Sequence, residues 1–311
     1  MPSAVLRQDP DGVDLVSSRQ FSRVAVTKPA AGRRPSRAAL FDLYGGFGVE
    51  GGRPGALRLS ALLRLGEDVG IRPAAIRAAA VRMVQRGWLE VERASRESVY
   101  RLTVAGRQLI DQGRERIFTP RPVEWDGEWC LVAVSVPEAR RDVRDRMRKE
   151  LAWLGFGSPS PGLFISPHDH GASVTRVATR LGAAGWVTIY RATNEAPEDP
   201  HLLVRRGWPE LGAVDLRYQR FVADFARRRA GARSDRRSPI DAFRTCFALL
   251  SEYRRCLYAD PELPRELLPA RWHGAAARAL FIETHAALID DALAHFDAVR
   301  EGNTASRPDR S

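Results

Sequence analysis

The stretch from Ile71 to Leu89, IRPAAIRAAAVRMVQRGWL, constrains the chain most. Ile76, Ala80, Met83 and Val84 recur at helical spacing and form one apolar stripe. Pro73 suits a first helical turn, where its missing N–H costs no bond. Gly87 suits the stop. Ala74, Ala78, Arg82 and Gln85 fall opposite the stripe, Arg77 flanks it and Arg72 stands at its start. Small side chains let a helix come close to a surface, and arginine offers a planar fork to phosphates and guanine edges. These residues suit a DNA recognition helix. Taken alone, they suit a surface helix of an arginine-rich protein equally well.

The adjoining segments favour DNA. WLEVERASRESVYRLT predicts a β-hairpin, with Trp88, Val91, Val99 and Leu102 in two short runs and Arg93 to Ser98 as a polar tip. Upstream, Arg58 to Val69 predicts a helix with Leu59, Leu62, Leu63 and Val69 inward, closed by Gly70. Ser36 to Tyr44 predicts a shorter one with Ala39, Leu40 and Leu43 inward. Three helices and then a hairpin make the winged helix-turn-helix plan. Arg93 and Arg96 on the wing tip could reach backbone phosphate or a minor groove.

The formal charge of +11 and pI near 10.4 suit a polyanionic partner. The positive excess lies in the first two thirds, and residues 239–311 are net negative. Only Lys28 and Lys149 are lysines among 49 basic residues. So strong a preference for arginine reflects genome composition in part, which lowers the weight of each arginine. Cys130, Cys246 and Cys256 are odd in number and have no CxxC spacing, so neither a disulfide framework nor a zinc site is expected. No apolar run reaches the length of a membrane span, and the N-terminus lacks the apolar segment of a signal peptide. A reducing cytoplasm is the expected compartment, with no membrane partner.

In chain order, residues 1–33 are polar and aperiodic and are expected to be a disordered tail. Residues 34–118 carry the winged helix and a closing helix from Thr103, with Val104, Leu109 and Ile110 inward. After a proline-bearing linker, residues 119–208 alternate strand and helix: EWCLVAVSVPE, Ala139 to Leu154, Leu163 to Ser166, Gly171 to Ala184, Trp186 to Tyr190. That β-α-β-α-β order predicts a ferredoxin-like α/β sandwich. Residues 209–311 predict an all-helical C-terminal region for effector binding or oligomerisation. Its helices are Pro209 to Arg229, Ile240 to Tyr258 and Ala275 to Val299, with a proline-rich turn segment DPELPRELLPARW. The fold class is thus α+β and multidomain.

The chain from about 34 to 300 resembles the PaaX family, repressors of phenylacetate-degradation operons. The resemblance rests on MVQRGWLEVER, EWCLVAVSVPEARRDVRDRMRKELAWLGFG with SPGLFISP, EYRRCLYADPELPRELLP, and RWHGAAARALF, in this order. It implies a winged-helix domain, a middle domain similar to CRISPR-associated adaptation endonucleases, and a helical C-terminal domain. It also implies homodimers on a palindromic operator in double-stranded DNA, released by an aryl-CoA thioester, typically phenylacetyl-CoA. In the endonuclease relatives the first strand ends in a metal-binding aspartate. Here Ser135 stands at that place, with Glu138 just beyond, and a serine is a poor sole anchor for Mg²⁺. A spacing or dimerisation module is therefore expected, and not a nuclease.

No cofactor or hydrolase motif occurs in a suitable context. His168-Asp169-His170 comes after Pro167 and precedes Gly171, which predicts a turn feeding a helix, capped by Asp169 or His170. Tyr253, Arg254, Arg255, Trp272 and His273 are the candidate effector residues. A CoA thioester needs cations for its phosphates and an aromatic pocket for its acyl group. The competing assignment is an arginine pair between helices and a core tryptophan. Apolar residues of the Pro209 to Arg229 helix and of the middle strands are the candidate dimer interface.

Overall fold

A computed structural model describes residues 36–53, 55–94, 97–119, 124–193, 199–231 and 238–302. The expectations for residues 1–33 and for Arg96 lie outside the described residues.

The first unit opens with α1 (Ser36–Leu43), which runs into a π-helical turn at Tyr44–Gly48. Strand β1 (Ala56–Arg58), α2 (Leu59–Asp68) and α3 (Pro73–Gln85) come next, then β2 (Leu89–Ala94), β3 (Glu97–Leu102) and α4 (Val104–Phe118). Gly70 (φ 77°) and Gly87 (φ 69°) end α2 and α3 in left-handed conformations that a side chain would resist. The α3 stripe buries Ile76, Ala79, Ala80 and Met83 against α1 and α2. Trp88 is fully buried, 5.2 Å from the Phe41 ring. The three strands form an antiparallel sheet in the order β1-β3-β2. Strand β1 shows no alternation in sequence because it is three residues long. Thr103 caps α4, accepting from the Gly106 amide at 3.0 Å and donating to Gly87 O at 2.6 Å. Val104, expected inward, is 77% exposed, while Leu109 and Ile110 are buried. It is the first residue of α4, ahead of the turn that meets the core.

The middle unit comprises β4 (Glu128–Val134), α5 (Arg141–Trp153), β5 (Gly157–Ser160), β6 (Leu163–Ser166), α6 (Gly171–Arg180) and β7 (Val187–Thr193). Its sheet is antiparallel in the order β5-β6-β4-β7. Strand β4 alternates: Cys130 and Val132 face α5 and α6, while Trp129 and Leu131 face the C-terminal elements. Burial on both faces explains its nearly continuous apolar run. Strand β5 is an addition to the expected order. Its residues GSPS read as turn chemistry, but a proline is tolerated on an edge strand.

The C-terminal region holds α7 (Pro200–Gly207), α8 (Leu211–Gly231), α9 (Pro239–Leu257), α10 (Gly274–Ala286) and α11 (Ile289–Glu301). The single helix expected from Ala275 to Val299 is thus two, broken at Ala287–Leu288 without proline or glycine. Leu288 is buried there, and the break turns α11 back onto α9. One hydrophobic core runs unbroken from α1–α4 into α9 and α11. Phe47 sits 4.9 Å from Phe243 and 5.8 Å from Phe296. Polar ties reinforce this seam: Arg53 to Asp297 at 3.0 Å, Arg244 to Asp68 O at 2.8 Å, and His295 to the Asp68 carboxylate at 2.9 Å.

Candidate nucleic-acid interface

Helix α3 exposes Ala74, Arg77, Ala78, Val81, Arg82 and Gln85, which lie on one face opposite the buried stripe. Arg72, the residue before the helix, is exposed too. Arg77 has no hydrogen bond or ion pair among the described residues. The surface is therefore small side chains flanked by guanidinium groups, held rigid from behind by Ile76 and Met83. Gly66 of α2 allows this support, because a Cβ there would come within 2.7 Å of Ile76. In the hairpin, Arg93 is exposed and pairs in register with Ser98. The hairpin flank is less basic than the sequence implied. Glu90 and Glu92 lie there with Arg101 between them, at 3.9 and 3.8 Å.

Comparison with known proteins matches the chain in three consecutive stretches. Residues 36–106 match the PaaX-like protein family, 122–204 the PaaX protein central Cas2-like domain, and 208–298 the PaaX-like protein C-terminal domain. The Transcriptional repressor PaaX of Escherichia coli (strain K12) is 31% identical over 261 residues, covering 82% of each chain. The chain belongs to the PaaX family. Among solved structures, uncharacterized protein Rv0674 from Mycobacterium tuberculosis superposes with a TM-score of 0.54 at 26% identity, over 85% of this chain and 98% of that one.

In this PaaX-family chain Tyr253 and Trp272 share one hydrophobic cluster, but the five candidate effector residues do not converge on a single pocket. Tyr253 is 1% exposed and stacked on Phe281 at 4.2 Å. Arg254 turns the other way and binds Asp42 of α1. Arg255 donates to Glu252 at 2.9 Å, one turn back on its own helix. Trp272 packs edge-on against Tyr218 at 5.7 Å. His273 Nδ1 lies 3.1 Å from both Asp215 carboxylate oxygens. The sequence brings cations and aromatics close along the chain, but consecutive residues of a helix point in different directions. Of the expected dimer surface, Leu216 of α8 and Tyr190 of β7 are exposed, while other apolar residues are packed inside the chain. Leu211, Val214, Tyr218, Phe221 and Phe225 of α8 are buried within the chain, as are Trp129 and Ile165 of the sheet.

Asp169 accepts from the Gly171 amide, the first of α6, at 3.0 Å, while His170 at the N-cap position makes no side-chain capping bond. At the strand end, Glu138 accepts from Arg144 at 2.7 Å and Ser135 N donates to Trp186 O at 2.8 Å.

The sequence-based expectations did not include a cleft of about 790 Å³ where the middle unit meets α7, α8 and the turn Tyr258–Glu262. Its walls come from Arg116 through Glu262, so no local motif marks it. The one available hint was the YADPEL turn.

Proposed function

We propose that this protein is a DNA-binding transcriptional repressor of a phenylacetate-type aromatic catabolic operon. Its operator is palindromic, and an aryl-CoA thioester such as phenylacetyl-CoA releases it. The observation that carries this is the match to the E. coli repressor along 82% of both chains. Residues 36–106 act as a winged helix-turn-helix, a reading supported by three helices around a three-stranded sheet with α3 exposed. Helix α3 enters the major groove, where Arg77 and Arg82 meet phosphates or guanine edges and Ala78 permits close approach. Arg72 and the wing residues Arg93 and Arg96 hold the backbone. The middle unit is ferredoxin-like, supported by its βαββαβ order and its strand arrangement. It serves as a cytoplasmic spacer without nuclease chemistry. One winged helix contacts too few base pairs to select a genomic site, so the working species is a homodimer on inverted half-sites.

The test is quantitative footprinting on promoter DNA beside the protein's own gene, with and without phenylacetyl-CoA. Protection of an inverted repeat, lost on adding the thioester but kept with phenylacetate or free CoA, is expected. No protection at any promoter would reject the repressor role.

A further inference from the structure

The cleft of about 790 Å³ is in the size range of small-molecule sites. Its apolar lining includes Trp153, Phe156, Phe164 and Trp208. Gly157 lets the Trp208 ring pack directly on β5 and so form part of the wall, since a Cβ there would lie 2.7 Å from the ring. At the mouth, Arg148 and Lys149 of α5 are exposed and form no ion pair among the described residues. The lining carboxylates mostly have partners of their own. Asp260 accepts from the Tyr218 hydroxyl at 2.7 Å, and Glu262 pairs with Arg116 at 3.1 Å, leaving Glu210. An apolar aromatic interior beside two uncommitted cations suits an aromatic or acyl group attached to an anion.

The cleft is also where the three units meet. Glu262 accepts Arg116 of α4 on its side chain and His168 of the middle unit on its carbonyl, at 2.8 Å. Its own amide donates to Asp260 at 2.8 Å. Glu262 is the non-glycine residue with positive φ, 56°, among the described residues, and such backbone persists only where surrounding bonds enforce it. Tyr258 stacks on Trp153 of the middle unit at 6.1 Å, while the Arg116 and Arg254 guanidiniums lie over its ring at 5.1 and 5.8 Å. Arg254 then grips Asp42 on α1, which packs against α3.

Building on the proposed effector-released repressor, we infer that this cleft is the ligand site. It takes an aromatic or acyl group against Trp153, Phe156 and Trp208, with the anionic part at Arg148 and Lys149. Occupancy acts on the DNA-facing helices through Glu262, Tyr258 and Arg116. A ligand wedged there favours a state with the middle unit shifted from the C-terminal turn, and its differential affinity for that state sets the extent of release.

The experiment uses the full chain and two probes, the aromatic anion 1-anilinonaphthalene-8-sulfonate and phenylacetyl-CoA. Two variants alter the exposed side of α5: Arg148→Glu with Lys149→Glu, and Ala152→Trp, which fills the cleft. Both should weaken probe binding by roughly tenfold or more and leave DNA affinity in the absence of ligand unchanged. Unaltered binding of both probes in both variants would overturn the cleft. So would release of the variants from DNA by phenylacetyl-CoA at wild-type concentrations, which would leave the effector reading standing. Dye binding that is lost in the variants, with no displacement by the thioester and no effect on DNA, keeps the cleft and rejects the thioester as effector. Glu262→Gln should bind phenylacetyl-CoA as wild type does yet need roughly tenfold more for release. Unchanged release in that variant would overturn the route through Glu262.

Discussion

Arg254 Nε donates to Asp42 Oδ1 at 2.6 Å, joining α9 to α1 across 212 residues of chain. The same carboxylate accepts from Arg254 Nη2 at 3.2 Å and from the Ser251 hydroxyl at 2.7 Å. Side-chain exposures of 13% and 3% make this a buried pair. Burial works against the guanidinium charge, but Asp42 outweighs it and holds Arg254 protonated above the ordinary arginine value. A cation already neutralised in this way is poorly placed to receive a ligand phosphate.

Removing one partner strands a buried charge. Asp42→Ala should destabilise the protein by about 3–5 kcal/mol, whereas Asp42→Leu with Arg254→Met should recover most of that loss. Urea unfolding of the three proteins checks this. Equal loss in the single and double variants would mean that the pair itself, rather than the uncompensated charge, sets the cost. The double variant should also still bind phenylacetyl-CoA, since neither residue lines the cleft.

His285 sits between Phe118, at 5.0 Å, and Phe281, at 5.6 Å. Burial lowers its pKa below the ordinary 6.5, with Arg114 adding to the effect and Glu50 opposing it. The folded protein thus takes up this proton at lower pH than the unfolded chain. The neutral imidazole's contribution is complete above about 6.5 and is lost as pH falls toward the folded value. Wild type should therefore lose more thermal stability than His285→Phe between pH 7.5 and 5. Parallel losses would contradict this.

Burial pushes the thiols of Cys246 and Cys256 up to about 12, so neither supplies thiolate near neutrality. The native protein should react with a thiol reagent at pH 8 only as fast as it opens, and promptly in denaturant. Prompt labelling of either cysteine in the native protein would contradict their placement.

Arg93, exposed in the β2–β3 hairpin, is proposed to contact the DNA backbone. Arg93→Ala should weaken binding to all duplexes alike and lower the slope of log affinity against log salt by roughly 1. A loss confined to one sequence would instead make Arg93 a base reader.

Local periodicity made the first unit legible. The stripe of Ile76, Ala80 and Met83 needs only a 3.6-residue repeat, and Gly70 and Gly87 mark its ends. Strand β5 was hidden because GSPS is turn chemistry until an edge position excuses the proline. The break at Ala287–Leu288 was hidden because tertiary packing makes it, through buried Leu288 and Phe296. For Arg254 the competing assignment of an arginine between helices holds, but its partner was illegible for the same reason, since nothing near it in sequence names Asp42. The exposed face of α3 was readable as one helix side, whereas the cleft needs three units brought together.

The most direct measurement is the affinity of Arg77→Ala/Arg82→Ala for a duplex enriched from random sequence by the wild-type protein. The substituted side chains are exposed, so circular dichroism and unfolding midpoint should be unchanged. We expect a loss of about 1–3 kcal/mol for each arginine that reads a base, with discrimination against random DNA falling in step. Wild-type affinity and wild-type discrimination in the folded double variant would contradict the assignment of α3 as the DNA-reading helix.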